Sequence, residues 1–462
     1  MRKLFGTDGI RGVAGEYPLD ERTTYVIGRA LGHHLLKIDN SARVIIGQDT
    51  RESSEGIANF LARGLLSHHI EAHSAGVITT PGIAYLARTQ NFSAGVVISA
   101  SHNPWRDNGI KVFGGDGYKL PDEVEFAIER EIFSHLDKPQ SDLTAAPDLP
   151  FPSTLPGEAK FRRDYVNWLA SNVASADFGR MKVLVDCANG AASPIAHDVF
   201  RAVGADATFI FDQPDGRNVN HNCGAMHPEV VAAAVRQANS QSSLRQYALG
   251  VTFDGDADRA LFSDQRGNII NGDAVLLLCA RIMQQRGTLA GNLVVATTMS
   301  NMGLEIALRD CGIRMLRAPV GDKYVLDEMR RTGATLGGEQ SGHIIFRDGD
   351  ATTGDGLLTA LRVMAKMAHA GCGIAELAGG MRVFPQMIKN VRVREKKPLE
   401  EIPEIVETIR KAESELEGIG RVVVRYSGTE SMARVMVEAD SEERLHRVTN
   451  AIAEEIHKVL GS

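Results

Sequence analysis

Three times along the chain a continuous apolar run gives way to a small polar loop, an amphipathic stretch, a Gly or His turn and a second apolar run. Arg43 to Asp49 leads through Ile57 to Leu66 into Glu71 to Val77. Met181 to Asp186 leads through Ile195 to Val203 into Ala207 to Phe211, and Leu293 to Thr297 through Leu304 to Leu308 into Ile313 to Leu316. Strands rich in Val, Ile and Leu without polar alternation belong to a sheet covered on both faces, and their alternation with helices marks βαβ units. Three copies predict three related α/β domains. The last portion differs in kind. Arg421 to Tyr426 and Ala433 to Glu438 read as two strands around the loop Ser427–Glu430, and Leu445, Val448, Ile452, Ile456 and Val459 recur at helical spacing. The pattern therefore predicts an α/β chain ending in a smaller α+β module.

Between Asp137 and Gly157 the chain concentrates Pro139, Pro147, Pro150, Pro152 and Pro156, which disfavours helix and marks a connection. Gly371, Gly373, Gly379 and Gly380 punctuate it again. The expected domains are residues 1–157, 158–260, 261–375 and 376–462, since a chain of 462 residues exceeds the size at which one core keeps growing. The net charge of −7 argues against general nucleic-acid affinity, so any basic site is local and serves a small anion. Cys187, Cys223, Cys279, Cys311 and Cys372 form no C-x-x-C pair and read as reduced, packed thiols. The N-terminus turns polar before a signal peptide's apolar core can form, and no apolar run approaches the roughly 20 residues of a membrane helix. A soluble, cytoplasmic protein with neither nucleic-acid nor membrane partner is expected; a homodimer is compatible with the sequence, which does not set the assembly.

Two segments carry chemistry. Ser101 follows the apolar run Ala94 to Ile98 and precedes His102-Asn103-Pro104, a turn that can hold a hydroxyl out of the end of a buried strand. Asp254, Asp256 and Asp258 follow the apolar run Tyr247 to Phe253 at alternate positions and can converge on one Mg²⁺ where the backbone curls. Alone, Ser-His-Asn-Pro is more often a plain turn, and Asp-x-Asp-x-Asp a calcium loop or a solvated acidic turn. The calcium loop fails because Arg259 and Gln265 stand where an EF-hand needs Gly and Glu. A haloacid-type phosphatase fails because Asp258 stands where Thr or Val is required.

Five segments in order, Phe5 to Gly12, Ser99 to Pro104 with Asp107 to Lys111, Asp254 to Arg259, Gly338 to His343, and Arg425 to Glu430, resemble the α-D-phosphohexomutase superfamily over nearly the whole chain. The Gly-Thr-Asp-Gly-Ile-Arg-Gly segment, Gln340, and Ser-Gly-Thr-Glu in the last loop are similar to its bacterial phosphoglucosamine mutase branch. Val320 to Val325 looks like that branch too, although Arg is more familiar where Lys323 stands, and Ser431 replaces a usual Pro. The resemblance implies three α/β domains with mixed sheets and a smaller α+β domain. It also implies an isomerase that interconverts glucosamine 6-phosphate and glucosamine 1-phosphate on the way to UDP-N-acetylglucosamine. Mg²⁺ would be the cofactor and glucosamine 1,6-bisphosphate, or a related sugar bisphosphate, the activator and intermediate.

On that resemblance Ser101 is the phosphoserine, and its oxygen joins Asp254, Asp256 and Asp258 as metal ligands. Covalent relay needs such an exposed hydroxyl beside a cation. Arg259 can offer paired donors to the same phosphoryl oxygens; Asp258 could instead serve only as its ion-pair partner. Lys111, placed after an Asn108-Gly109 turn, is the acid/base or charge-stabilising candidate, against a plain surface lysine. Arg11, His102 and His343 complete the catalytic set, though Arg11 could be an interdomain ion pair and His343 a packed hydrogen-bonder. Lys323, Glu339 and Ser341 are expected on the sugar. Arg425, Ser427, Gly428, Thr429 and Arg434 form an anion nest for the non-reacting phosphate, although R-x-S-G-T alone is commonly a hairpin turn. Two other readings stay open: a phosphoglucomutase or phosphomannomutase, and a non-catalytic sugar-phosphate binding protein.

Overall fold

The computed structural model describes residues 4–137, 157–179, 181–241, 246–427 and 431–461. They gather into two compact units, Met1–Thr297 with Ala318–Gly379, and Thr298–Arg317 with Gly380–Ser462. The first unit opens with a six-stranded mixed sheet of β1 (Phe5–Gly6), β2 (Gly9–Val13), β3 (Arg43–Gln48), β4 (Glu71–Val77), β5 (Ala94–Ile98) and β6 (Asp107–Gly114). Its order is β1-β2-β6-β5-β3-β4. β3 runs parallel to β4 and β5, while β6 returns antiparallel to β5 and β2. All five residues of β5 are buried, as its unbroken apolar sequence requires. Asn108 and Gly109, read above as a turn, lie inside β6, because pairing with Gly12 and Arg11 of β2, together with the Ser99 N–H donated to the Gly109 carbonyl, holds them extended.

Helices α1 (Glu21–Leu36), α2 (Ser54–Leu66), α3 (Thr80–Thr89) and α4 (Asp122–Leu136) cover this sheet. Asp20 caps α1 by accepting the Thr23 N–H at 2.9 Å. Where α1 meets α2, Gly28 and Gly64 let the two backbones touch. A Cβ on Gly28 would lie 2.0 Å from the Leu61 carbonyl oxygen, and one on Gly64 2.2 Å from that of Tyr25.

The next stretch supplies α5 (Gly157–Ser171), β7 (Lys182–Asp186), α6 (Ser193–Ala202), β8 (Asp206–Ile210), α7 (Pro228–Gln241), β9 (Leu249–Phe253), β10 (Ala260–Asp264) and β11 (Ile269–Ile270). The sheet order is β11-β10-β9-β7-β8, with β7 parallel to β8 and β9 and with β10 antiparallel to its neighbours. Then come α8 (Gly272–Gln285), β12 (Leu293–Thr297), α9 (Met302–Asp310), β13 (Arg314–Ala318), α10 (Asp322–Thr332), β14 (Leu336–Gly338), β15 (Ile344–Phe346), α11 (Gly356–Ala370) and the single turn α12 (Ile374–Leu377). β12 pairs parallel with β14, which pairs antiparallel with β15. Each predicted strand–helix–strand pattern thus forms, in three domains with mixed sheets. The proline-rich connection lies largely at 138–156, outside the described residues.

In the second unit β16 (Gln386–Arg392), β17 (Gly420–Tyr426) and β18 (Met432–Ala439) form an antiparallel sheet in the order β16-β18-β17, backed by α13 (Pro403–Leu416) and α14 (Glu442–Leu460). The apolar stripe read from Leu445 to Val459 packs into that core. The segment 298–317 joins it through Glu438, whose buried carboxylate takes Arg421 and the Met302 N–H, while Arg421 also donates to the Thr298 and Ser300 carbonyls. The sequence pattern does not announce β16, four of whose seven residues are exposed and which lacks a clean apolar alternation.

Gly28→Ala should lower the melting temperature, with overpacking at the α1–α2 crossing costing about 1–3 kcal/mol. Denaturant unfolding of both proteins measures it, and an unchanged midpoint would show that the helices can separate freely.

Candidate active site

β5 and β9 end facing one another, and the two chemical segments are the loops that leave them. Ser101 has φ 53°, a left-handed conformation unusual for a non-glycine residue, and so does Ala257 at φ 55° in the acidic loop. The loops pack backbone to backbone: a Cβ on Gly255 would lie 2.5 Å from the Ser101 carbonyl oxygen. Ser101 Oγ donates to Asp254 Oδ2 at 2.6 Å and stands 3.3 Å from His102 Nδ1.

One ligand oxygen from each of Asp254, Asp256 and Asp258 lies within 4.8 Å of the others, and all three residues are buried. Asp256 Oδ2 accepts from Thr80 Oγ1 at 2.5 Å and Lys111 Nζ at 2.8 Å, while its Oδ1 and Asp258 Oδ1 are buried without a hydrogen bond. Buried carboxylate oxygens are rarely left so. Burial and the like charges of Asp258 and Asp256 push Asp254 well above the usual carboxylate range. Three hard oxygen donors short of positive charge fit a divalent cation held by Asp254, Asp256, Asp258 and Ser101 Oγ.

Lys111 rises from β6 into this cluster, with Nζ 2.8 Å from Asp256, 2.9 Å from Asp8 and 3.8 Å from Asp258. Burial opposes its charge, yet Asp256, Asp8 and Asp258 outweigh that and hold it far above the ordinary lysine value. It is a fixed ammonium, not a surface lysine. Asp8 also binds Arg11 and Lys119, and Lys119 Nζ reaches Asp322 at 2.5 Å. Arg11 donates to Asn103 Oδ1 at 3.2 Å. Arg259 is anchored by its backbone N–H on Asp254 Oδ1 at 3.2 Å, and its Nε has no hydrogen bond.

Asp8, Arg11, Asp258 and Arg259 line a cleft of about 430 Å³ together with His102, Gly321, Asp322, Glu339 and His343. Burial, with Arg259 and Arg11, pulls His102 down to about 4, so it is neutral near pH 7. Burial disfavours charge on His343, but Asp258, Asp322 and Glu339 carry it up to about 9. The Gly354 N–H donated to His343 Nε2 at 3.1 Å opposes that second proton, because an imidazolium has no lone pair there. The geometry places the ring proton on Nδ1, 3.5 Å from Asp258.

Other expected residues lie differently. Glu339 lines the cleft and accepts the Gly321 N–H at 3.0 Å and the Ser341 hydroxyl at 3.2 Å. Lys323 is turned to α4, with its ammonium on Asp122, on Glu125 at 3.1 Å and on the Leu120 carbonyl at 3.4 Å, and it is not among the cleft-lining residues. In the second unit Arg425 and Arg434 sit directly opposite each other on β17 and β18. Ser427 is buried and its carbonyl accepts Lys396 Nζ at 2.7 Å; Gly428 and Thr429 lie outside the described residues. Sequence reasoning missed Thr80 and Lys119, which no motif marks, and passed over Asp8 and Asp322 although they stand inside Phe5 to Gly12 and Val320 to Val325.

Family models described as phosphoglucomutase/phosphomannomutase alpha/beta/alpha domains I, II and III match residues 2–138, 163–267 and 271–384, and the C-terminal domain model matches 388–455. The chain belongs to the phosphoglucomutase/phosphomannomutase family. Relatives include the phosphoglucosamine mutases of Koribacter versatilis (strain Ellin345), 60% identical over 100% of this chain and 98% of that protein, and Solibacter usitatus (strain Ellin6076), 50% identical over 100% and 99%. Among solved structures, a phosphoglucomutase/phosphomannomutase family protein from Burkholderia thailandensis has the same fold, with TM-score 0.76 and 23% identity over 98% of this chain and 97% of that one. The Aspergillus fumigatus N-acetylphosphoglucosamine mutase, crystallised with GlcNAc-6P and magnesium, aligns with TM-score 0.64 and 20% identity over 98% and 96%. This member of the phosphoglucomutase/phosphomannomutase family therefore carries all four of the family's domains, and its cleft residues come from the first three of the matched regions.

Asp256→Ala and Asp258→Ala should each weaken divalent-cation binding by at least about 10-fold, since even outer-shell losses cost that much. Calorimetric titration with Mg²⁺ measures it, and wild-type affinity in both would dissolve the cage.

Proposed function

We propose that the chain is a phosphoglucosamine mutase, interconverting glucosamine 6-phosphate and glucosamine 1-phosphate by a phosphoryl relay through Ser101. The observation that carries the reading is the Ser101 hydroxyl bonded to Asp254 at the edge of a buried three-carboxylate cage. A binding protein has no use for a nucleophile there. The printed names of relatives at 60% and 50% identity support the glucosamine substrate.

Phosphorylated Ser101 gives its phosphoryl group to the free sugar hydroxyl: the P–Oγ bond breaks, a P–O bond to the sugar forms, and the sugar hydroxyl's proton ends on the released Ser101 Oγ. The product of this half-reaction is glucosamine 1,6-bisphosphate, which turns end for end and returns its other phosphoryl group to Ser101 Oγ. Mg²⁺ held by Asp254, Asp256, Asp258 and Ser101 supplies Lewis-acid stabilisation of charge on the transferring group. Lys111, with its ammonium on Asp256 and Asp8, is the acid/base or charge-stabilising group beside the transferring phosphoryl. Arg259 and Arg11 bring guanidinium donors to the cleft, where neutral His102 stands beside the seryl oxygen. Glu339 and Ser341 receive sugar hydroxyls, and His343 positions Asp258. We assign the grip on the non-reacting phosphate to Arg425, Ser427, Gly428, Thr429 and Arg434. The strand register that sets Arg425 directly opposite Arg434 supports it. Lys323 is better read as a tie to α4 than as a substrate contact. The four-domain division at about 157, 260 and 375, the cytoplasmic location and the place before UDP-N-acetylglucosamine belong to the same reading.

Purified protein should gain one phosphoryl mass that phosphatase removes, and Ser101→Ala should nearly abolish turnover. In a substrate panel with Mg²⁺ and bisphosphate, kcat/KM should be highest for glucosamine phosphates, lower for glucose phosphates and lowest for mannose phosphates, whose C2 is inverted. Glucose or mannose 1-phosphate matching glucosamine 1-phosphate would move the function to a phosphoglucomutase or phosphomannomutase.

Arg425→Ala should weaken sugar-phosphate binding about 10-fold to 100-fold, the loss of one charge-assisted hydrogen bond of roughly 1.5–3 kcal/mol. Unchanged calorimetric affinity would reduce that loop to a hairpin turn.

A further inference from the structure

Gln48-Asp49-Thr50-Arg51 leaves the end of β3 next to the end of β5, and Asp49 and Arg51 are both buried. An arginine has five N–H donors. Each is used: Nε donates to Asp49 Oδ2 at 2.7 Å, Nη1 to the carbonyls of Pro104 at 2.5 Å and Asp107 at 2.9 Å, and Nη2 to those of Ser101 and Asn103, both at 2.9 Å. Four carbonyls of the nucleophile loop thus converge on one guanidinium. The same carboxylate reaches the other side of the nucleophile. Ser99 Oγ donates to Asp49 Oδ2 at 2.7 Å and accepts the Ser101 N–H at 2.9 Å.

Both backbone groups of Ser101 are therefore tied to one buried ion pair. A non-glycine residue at φ 53° is strained and stays there only where its surroundings dictate it. Asn220, donating to the Ser101 carbonyl at 2.9 Å, adds a second hold. Arg51 and Asp49 are buried, and their hydrogen bonds run to each other, to the Ser54 and Ser99 hydroxyls and to the loop's carbonyls, so they act on the chemistry through Ser101.

We propose that Asp49 and Arg51, with Ser99 as their link, are positioning residues for phosphoryl transfer: they impose the left-handed conformation of Ser101 that aims Oγ at the carboxylate cage in both half-reactions. Without them the residue relaxes toward negative φ and carries its oxygen away from Asp254. The inference rests on the relay proposed above, and it separates alignment of the nucleophile from cation and substrate binding.

The test compares Arg51→Lys, which keeps the charge beside Asp49 but has three donors, with Ser99→Ala, which cuts only the link to the Ser101 N–H. Protein phosphorylated at Ser101 is mixed with glucosamine 6-phosphate, and loss of the phosphoryl mass is followed in a single turnover. Transfer should slow about 100-fold in Arg51→Lys, the order expected for a misplacement near 1 Å. It should slow up to about 10-fold in Ser99→Ala, the scale of one hydrogen bond. KM and calorimetric Mg²⁺ affinity should stay near wild type in both. If the variants lose melting temperature but transfer at the wild-type rate per folded molecule, the ion pair is structural only and the proposal falls. If Arg51→Lys does not fold, Ser99→Ala decides alone. The wild-type control tests the relay itself: wild-type protein that carries no phosphate on Ser101 and turns over no sugar phosphate refutes the proposed function, whatever the variants do.

Discussion

Three carboxylates sharing buried space repel one another, and a cluster of this kind persists only if positive charge is delivered to it. Lys111 supplies one charge from the strand β6, and Arg259 adds another next to the cluster. Their supply is incomplete, as the raised Asp254 and the unpaired oxygens of Asp256 and Asp258 attest. That shortfall fits a group that could hold a metal ion better than it fits a self-sufficient ion-pair network. Asp8 extends the balance outward by holding Lys111, Lys119 and Arg11, so the N-terminal loop belongs electrostatically to the cage.

The sheets serve this charge cluster by bringing strand ends together. β5 and β9 are fully buried and rigid, so the loops leaving them start from fixed points. Their backbones approach at Gly255, closer than any side chain would permit, and Ser101 and Ala257 both take left-handed conformations to aim their neighbours inward. Local strain at the site is borne by hydrogen bonds from buried groups around it, among them Asp49, Arg51 and Asn220.

The second unit handles charge in the opposite sense. Its cross-strand arginines concentrate positive charge on one sheet, which suits a doubly charged phosphate, whereas the cleft concentrates carboxylates that suit a cation.

Much was legible without coordinates because some signals are local. Uninterrupted apolar runs such as Ala94 to Ile98 had to be buried strands, the helical spacing of Leu445 to Val459 had to face a core, and Asp-x-Asp-x-Asp after a strand could be weighed against known cation loops by spacing alone. β16 escaped because most of its residues are exposed and their pattern is not apolar, and Asn108-Gly109 misled because a turn-forming pair becomes strand when a neighbouring strand, here β2, pairs with it. Lys323 shows the same limit: its neighbours in sequence resemble a substrate loop, but its ammonium is captured by Asp122 and Glu125 of α4, two hundred positions away in the chain by order of magnitude (about 200). By itself the sequence determined which segments are strands and helices and which carry nucleophile and carboxylates, since propensity, burial pattern and spacing act between near neighbours. Only the tertiary structure decided which charges meet, that Lys111 is locked on Asp8 and Asp256 and that Arg51 gathers the nucleophile loop, because those energies depend on distance and desolvation between residues the chain keeps far apart.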